Sequence, residues 1–188
     1  MTTSVEMILK SKDIEGLVDS LADQIIQDNK DQLSDLVLVG IVTAGHPIAT
    51  RLANVISNKT NIDVKVGKLD VSLYRDDLLI RSDYVTMKES DIPFNITDKR
   101  LVLVDDVLFQ GRTVRAALNA LLDFGRPAKI ECAVLLDRQY VQLPIFAKYI
   151  GKVIDVEPEK VVRVKLLEIY GEEGVFVETK VEEKSTLG

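Results

Sequence analysis

The stretch that decides the fold class is residues 102–113, which read VLVDDVLFQGRT. An apolar run ends in two adjacent acids, Asp105 and Asp106, and a turn containing Gly111 leads into a helical pattern near Thr113. A continuous apolar run of this kind is typical of a strand buried on both faces of a parallel sheet. A buried strand, a tight turn and a helix together form the repeating unit of α/β folds.

The flanking sequence repeats this alternation. Apolar runs predict strands at 36–41, 64–73, 100–105 and 129–136, and apolar residues spaced three and four apart predict helices at 13–29, 46–56 and 113–124. Asp13 is the predicted N-cap of the first helix. Two later strands, 161–166 and 175–177, are predicted to pair across a turn at 171–174. We therefore predict an α/β fold with a mostly parallel central sheet and helices on both faces.

Ligands of wound α/β sheets bind at the carboxyl ends of the strands. That rule selects three places, after Ile41, after Val104 and after Leu136. Two segments without a sustained period, 74–95 and 137–159, lie close to these places in the sequence. Loops as long as the first of these are usually functional lids or disordered.

Composition bounds the class of protein. The 188 residues suit a single domain over 1–188, and 46% apolar with 29% charged residues is an ordinary globular mixture. No apolar run approaches the roughly 20 residues needed to span a bilayer, so no membrane partner is expected. The single cysteine, Cys132, excludes an intrachain disulfide, and we expect a cytoplasmic protein and a core role for this thiol. The net charge of −6 makes nucleic-acid binding less expected.

The turn after the two acids has the chemistry of a sugar-phosphate site. Successive backbone N–H groups and a helix N-terminus attract an anion, and Gly111 lets the backbone approach it closely. Thr113 offers a hydroxyl, while Asp105 and Asp106 can accept hydrogen bonds from two ribose hydroxyls. On these residues alone, a plain strand, turn and helix with a solvated or capping acid pair stays open. The stretch is neither a Walker loop nor a Gly-x-Gly-x-x-Gly motif.

Residues 102–113 resemble the phosphoribosyl-pyrophosphate signature of type I phosphoribosyltransferases. Residues 70–78, which read DVSLYRDDL, resemble the strand and lid start of the PyrR family. Further similar segments are 112–117, 123–127, 136–138, 143–145 and 149–152, so the similarity covers roughly residues 10–178. On these residues the chain is identified as a member of the PyrR family. The resemblance implies a type I phosphoribosyltransferase fold with a flexible lid over about 74–95 and a small hood over about 137–159.

PyrR proteins make UMP from uracil and phosphoribosyl pyrophosphate, and they bind pyrimidine-operon messenger RNA when UMP is bound. The resemblance therefore implies an enzyme that converts uracil and phosphoribosyl pyrophosphate into UMP and pyrophosphate with Mg²⁺. A related base, including a purine, stays open. The family also implies a homodimer or a larger homo-oligomer.

The family's functional residues carry over position by position. The resemblance implies that the catalytic residues are Asp105, Asp106, Asp137 and Arg138. It implies that Mg²⁺ lies near Asp106 and Asp137, through water or substrate. The implied substrate-binding residues are Thr43, Ala44, Gly45 and Arg75 for pyrophosphate and Leu108, Phe109, Gln110, Gly111, Arg112 and Thr113 for the 5′-phosphate.

The pyrophosphate loop departs from the family pattern. Val42 and Ala44 stand where the family usually carries basic residues, and Gln110 replaces a usual threonine in the phosphate turn. His46, the only histidine, either supplies a cation here or simply lies at a helix start. Ala44 favours an alternative function, a nucleotide-binding regulator of pyrimidine metabolism that has lost catalysis.

The positions that face RNA in the family also differ. The first helix carries Asp19 and Asp23, and Tyr140, Val141 and Phe146 stand where the family shows histidine and arginine. Phosphate contacts dominate RNA affinity and need Lys or Arg. We therefore expect no RNA attenuation, although aromatic side chains can stack on bases. A protein contact at Val141 and Phe146 is the alternative.

Overall fold

The computed structural model describes residues 2–75 and 89–181. In chain order, its helices and strands are β1 (Thr2–Lys10), α1 (Ser11–Asp28), β2 (Leu36–Ile41), α2 (Gly45–Thr60), β3 (Lys65–Leu69), β4 (Arg100–Leu108), α3 (Arg112–Leu121), β5 (Lys129–Asp137), β6 (Tyr149–Val153), β7 (Val161–Lys165), α4 (Leu167–Tyr170) and β8 (Gly174–Val181).

The central sheet has five strands in the order β3-β2-β4-β5-β6, and all neighbouring pairs are parallel. This confirms the predicted parallel sheet. The chain steps outward from β2 to β3 and then returns to place β4 on the other side of β2. The order thus reverses between β2 and β4, and a crevice opens at the carboxyl ends of such a strand pair.

Helices cover both faces of the sheet, as predicted. On one face α1 and α2 bury apolar side chains that include Ile14, Leu21 and Ile48. On the other face α3 buries Val114 and Leu121 among the strands. Burial of each such side chain stabilises the fold by about 1.5–3 kcal/mol, so the two apolar layers hold the strand ends in fixed positions.

Helix α1 begins earlier than the sequence pattern suggests. Its first residue is Ser11, and the residue before it, Lys10, occupies the cap position. Asp13 is therefore not the N-cap, contrary to the prediction. Its carboxylate accepts a hydrogen bond from the Lys10 backbone N–H at 2.8 Å, which satisfies one of the free donors at the helix start.

A second sheet joins the two ends of the chain. Strand β1 pairs with β8, and β8 pairs with β7, both antiparallel. The predicted pairing of 161–166 with 175–177 is confirmed, whereas β1 was missed. Its polar, weakly alternating sequence gains strand structure only from a partner about 170 residues away.

Two segments near the site differ from their expected form. The interval 137–159, expected as an irregular hood, contains β6, which is the outer strand of the central sheet. The strand expected to reach residue 73 ends at Leu69, and a short 3₁₀ turn follows at Ser72–Tyr74. Most of the expected lid over 74–95 lies outside the described residues. Within 2–75 and 89–181, no helix combines the length and the apolar character that a membrane crossing requires.

Candidate functional site

The phosphate turn lies between β4 and α3, and it is very short. Strand β4 continues to Leu108, and α3 begins at Arg112 after only three residues. Gly111 precedes the helix with φ of +82°, a conformation that favours glycine. The turn therefore directs the first amides of α3, which have no partner within the helix, at one side of a cavity.

That cavity has a volume of about 490 Å³. Its walls are Arg75, Asp105, Val107, Leu108, Phe109, Gln110, Gly111, Arg112, Thr113, Val114 and Gln142. It thus brings together all six residues expected to bind the 5′-phosphate, one of the two adjacent acids, and the arginine expected at pyrophosphate. The volume falls within the range of small-ligand sites.

The acid pair is held at the strand end by backbone donors. The Asp106 N–H donates to Asp105 Oδ1 at 3.0 Å, and the Val107 N–H donates to Asp106 Oδ1 at 2.9 Å. Only 6% of Asp105 is exposed. Burial raises the pKa of Asp105 well above its usual range, and the charge of Asp106 raises it further. Burial also raises the pKa of Asp106.

Arg75 lines the cavity beside the first turn of α3. Its Nη1 donates to Thr113 Oγ1 at 3.3 Å, which links the start of the expected lid to the first turn of α3. Its positive charge partly opposes the rise in the pKa of Asp105. Arg75 therefore stands where an anionic ligand would meet both a cation and a helix N-terminus.

The hood segment is fastened to the phosphate turn through Gln142. The Gln142 N–H donates to the Gln110 carbonyl at 3.1 Å, and Arg112 Nη2 donates to Gln142 Oε1 at 3.1 Å. Gln142 was missed by sequence reasoning because it belongs to no motif and contacts the turn only through the tertiary fold. The unusual Gln110 keeps its backbone in place through this contact.

Arg138 is placed behind the turn and does not line the cavity. Its Nη2 donates to the carbonyls of Val156 at 3.2 Å and Glu157 at 2.8 Å, and its guanidinium lies over the Phe109 ring. Tyr140 also stacks on that ring, with centroids 5.3 Å apart. Arg138 thus connects the end of β5 to the phosphate turn and to residues 156–157.

The expected pyrophosphate loop follows β2 and contains a cis peptide bond between Val42 and Thr43. A Cβ on Gly45 would lie 2.3 Å from the Val104 carbonyl oxygen and 3.2 Å from the Asp105 Cα, so α2 starts directly against the acid-bearing strand end. Ala44 is nearly buried and packs with the core between α2 and the sheet. Position 44 therefore gives the loop no charge, and its methyl group packs with the core.

His46 and Asp137 complete the neighbouring strand ends. Burial and the positive charge of Lys68 lower the pKa of His46, so the ring is mainly neutral at neutral pH. Asp137 is buried at the end of β5, pairs in register with Leu108, and accepts a hydrogen bond from the Gln139 N–H at 2.7 Å. Asp106, Asp137 and the loop over 43–45 thus flank the cavity without lining it.

The acids suit a metal ion that is held mainly by substrate. No group of three or more His, Cys, Asp or Glu side chains within 2–75 and 89–181 could hold a metal ion by itself. Mg²⁺ usually takes only one or two carboxylates together with substrate phosphates. The raised pKa of Asp105 and Asp106 shows buried carboxyl groups with too little compensating positive charge, which a cation would supply.

Comparison with known proteins defines the class. A family model described as the phosphoribosyl transferase domain matches residues 4–168, so the chain belongs to the phosphoribosyltransferase family. Within that family, curated relatives named Bifunctional protein PyrR match over more than nine-tenths of the chain. The PyrR of Deinococcus radiodurans is 44% identical over 171 residues, which cover 91% of this chain and 93% of the relative. The PyrR of Nostoc punctiforme is 45% identical over 178 residues, which cover 93% and 97%. The resemblance seen in the sequence is confirmed.

Solved structures confirm the fold. A hypoxanthine-guanine phosphoribosyltransferase from Bacillus anthracis superimposes with a TM-score of 0.69 at 20% identity, covering 93% of this chain and 98% of that one. A hypoxanthine phosphoribosyltransferase from Trypanosoma cruzi gives 0.69 at 20% identity, with 92% and 89% covered. At this identity the likeness concerns the fold and not the base.

Proposed function

We propose that the protein transfers the phosphoribosyl group of phosphoribosyl pyrophosphate to uracil, giving UMP and pyrophosphate. The observation that carries this proposal is the cavity of about 490 Å³ that is lined by the phosphate turn, by Asp105 and by Arg75. Relatives named Bifunctional protein PyrR over more than nine-tenths of the chain support uracil as the base.

Each residue has a role in this reaction. Backbone amides of the turn from Phe109 to Thr113 bind the 5′-phosphate, and Asp105 and Asp106 accept hydrogen bonds from the ribose hydroxyls. As the bond to pyrophosphate breaks, the ribose gains positive charge, and the two nearby carboxylates stabilise that charge. The pyrophosphate then leaves toward Arg75 and the loop over 43–45.

Mg²⁺, near Asp106 and Asp137 through water or substrate, supplies charge neutralisation to the leaving pyrophosphate when it is bound. Arg138 acts as a positioning residue, because it holds Phe109 and the carbonyls of residues 156 and 157 in one arrangement. We further propose a homodimer or larger homo-oligomer, which light scattering after gel filtration measures directly.

The test is a pyrophosphate-release assay with Mg²⁺, phosphoribosyl pyrophosphate and a panel of bases that includes uracil, hypoxanthine and guanine. Turnover with uracil, lost in Asp106→Asn, supports the proposal. Turnover with a purine base alone would mean that the substrate is that purine and not uracil. The absence of turnover with every base would remove the enzyme assignment.

A second candidate function is a regulator that binds a pyrimidine nucleotide without turnover. Ala44 favours this second function, because its buried methyl group gives the loop no cation, and a loop without a cation holds pyrophosphate less well. Tight UMP binding by calorimetry together with no pyrophosphate release would select this function.

RNA attenuation is not favoured by the α1 surface. Asp19 and Asp23 are exposed there, with side chains 60% and 64% accessible, and Lys59 is their ion-pair partner. A mobility-shift assay with the leader RNA of a pyrimidine operon, with and without UMP, should show no salt-dependent complex.

A further inference from the structure

The expected pyrophosphate loop has no charged side chain. Residues 42–45 read VTAG, and the methyl group of Ala44 faces the core. A helix N-terminus contributes the equivalent of only about half a positive charge, whereas pyrophosphate carries several negative charges. If the proposed transfer reaction takes place, on which this inference rests, cations from elsewhere in the fold should meet the leaving group. Arg75 is one of them, but it is hydrogen-bonded to Thr113 of the phosphate turn, so a second cation is expected beside the loop.

His46 does not supply that cation. It lies in the first turn of α2, but burial and a neighbouring positive charge keep its ring mainly neutral. The neighbouring charge belongs to Lys68, one residue before the end of β3. The cation that acts on His46 thus lies on the adjacent strand, β3.

The strand register fixes the side on which Lys68 lies. Lys68 pairs with Gly40 across β2 and β3, so the two residues point to the same face of the sheet. A Cβ on Gly40 would lie 2.3 Å from the His46 Cα, which shows that this face carries the first turn of α2. Lys68 thus projects beside the start of α2, on the outer side of the loop over 42–45.

The backbone of Lys68 is fixed, and its side chain is not engaged. Lys68 N–H donates to the Asp91 carbonyl and Asp91 N–H donates to the Lys68 carbonyl, both at 2.9 Å. The side chain is half-buried and makes no ion pair with any residue in 2–75 or 89–181. Asp91, the partner of Lys68 in an antiparallel bridge, is an acid on the same face, but no ion pair joins the two side chains, so the Lys68 ammonium stays available to an anion.

We infer that Lys68 binds the pyrophosphate group of phosphoribosyl pyrophosphate from the neighbouring strand β3, and so replaces the cation that the loop over 42–45 lacks. Its position beside α2 places Lys68 next to the loop over 42–45, on the sheet face opposite α3, and the Val42 N–H ties that loop to the carbonyl of the next residue, Leu69, at 3.0 Å. The pyrophosphate is then bound by Lys68 in addition to Arg75, whereas the 5′-phosphate is bound by the amides of the phosphate turn.

The test measures binding of phosphoribosyl pyrophosphate, inorganic pyrophosphate and UMP by calorimetry, with Mg²⁺ present, for the full chain and its variants. Lys68→Gln should weaken the first two ligands by about 10-fold or more, the usual effect of losing a hydrogen bond to a charged group. UMP, which has no pyrophosphate, should bind as before. Lys68→Arg should restore most of the affinity. Lys65→Gln, an exposed lysine at the other end of the same strand, is the matched control.

His46 gives an independent readout, because it is the only histidine and yields a single imidazole C2–H resonance. Pyrophosphate added to the wild type should raise the pKa of His46, and Lys68→Gln should raise it without ligand. Unchanged pyrophosphate affinity in Lys68→Gln overturns the inference, and so does an equal loss for UMP, which would mean a structural role. The protein could show no turnover with any base while Lys68→Gln selectively loses pyrophosphate binding. That result supports the inference and removes only the proposed enzyme activity.

Discussion

The guanidinium carbon of Arg138 lies 3.9 Å from the centroid of the Phe109 ring. This contact joins the end of β5 to the phosphate turn, and two hydrogen bonds extend it to the carbonyls of Val156 and Glu157. Cation–π contacts of partly buried groups contribute about 0.5–2 kcal/mol. A single side chain therefore fixes the relative positions of three segments near the site: the end of β5, the phosphate turn and residues 156–157.

Arg138→Lys should keep the charge and lose the flat stacking surface and the paired hydrogen bonds. We expect kcat/KM to fall by roughly 10-fold or more, because small displacements of positioned groups slow reactions strongly. Steady-state kinetics with uracil measures this. Arg163→Lys, in an exposed pair with Glu178 far from the turn, is the control. Equal kinetics for the two variants would contradict the positioning role.

Asp105→Asn tests the buried acid pair. Because burial raises the folded-state pKa of Asp105, its stabilising contribution is present below the unfolded pKa of about 3.9 and is lost as pH rises through the folded pKa. Asp105→Asn should therefore gain stability relative to wild type as pH rises above about 4, by about 1.4 kcal/mol per unit of pKa shift, while losing phosphoribosyl pyrophosphate binding. Urea unfolding from pH 4 to pH 8 measures the gain, with Asp155→Asn at an exposed position as control. A stability difference that is independent of pH would be evidence against the raised pKa.

Gly45→Ala tests the close approach of α2 to β4. The added methyl would lie 2.3 Å from the Val104 carbonyl oxygen, so the helix start must move. We expect a loss of about 1–3 kcal/mol in the free energy of unfolding and weaker ligand binding at the displaced loop. Gly16→Ala in α1, where nothing lies within 4 Å, should instead stabilise the protein by about 0.5–1 kcal/mol. Chemical denaturation of both variants gives the comparison.

Glu131→Gln tests the buried acid near the start of β5, at the other end of the strand from the site. Burial alone would raise the pKa of Glu131, but hydrogen bonds from Lys129, Lys148 and Tyr149 outweigh it and lower the pKa to about 2. The stability from this acid is therefore present above the unfolded pKa and is lost as pH falls from about 4.5 toward 2.

At pH 7, Glu131→Gln should cost about 1–3 kcal/mol, and the cost should shrink near pH 3. Urea unfolding at both pH values measures it. Glu178→Gln, which breaks an exposed pair with Arg163, should cost under about 1 kcal/mol. Equal costs for the two variants would mean that the buried network around Glu131 stabilises the protein no more than an exposed ion pair does.

Cys132 should be unreactive in the folded protein. Burial, with the nearby charges of Asp105 and Asp137, raises the pKa of its thiol to about 12. At pH 8 almost no thiolate forms, and only 8% of the residue is exposed. Ellman's reagent should label about one thiol per chain in urea and far less without it. Rapid labelling of the native protein would show that the strand opens.

Local sequence determined much of the site. The acid pair, Gly111 and the apolar run before them are contiguous, and the conformation of such a segment depends mainly on its own residues. Helix faces and four of the five central strands were likewise predicted from the apolar pattern, because each face buries against a neighbour whatever its identity, whereas β6 was expected as part of an irregular hood. Asp13 shows the limit of this reasoning, since the cap lies three residues earlier, at Lys10, and apolar periodicity does not define where a helix begins.

The tertiary structure decided the relations between segments that are far apart in the sequence. The pairing of β1 with β8, the contact of Gln142 with Gln110, the burial of Ala44 and the place of Lys68 beside α2 join residues that no local pattern connects. The pKa shifts of Asp105 and Glu131 depend on burial and on partners, which exist only after packing. The sequence by itself thus determined which groups can bind a sugar phosphate, and the packed strands determined which charges surround it, because electrostatic interactions depend on distance in space and on burial.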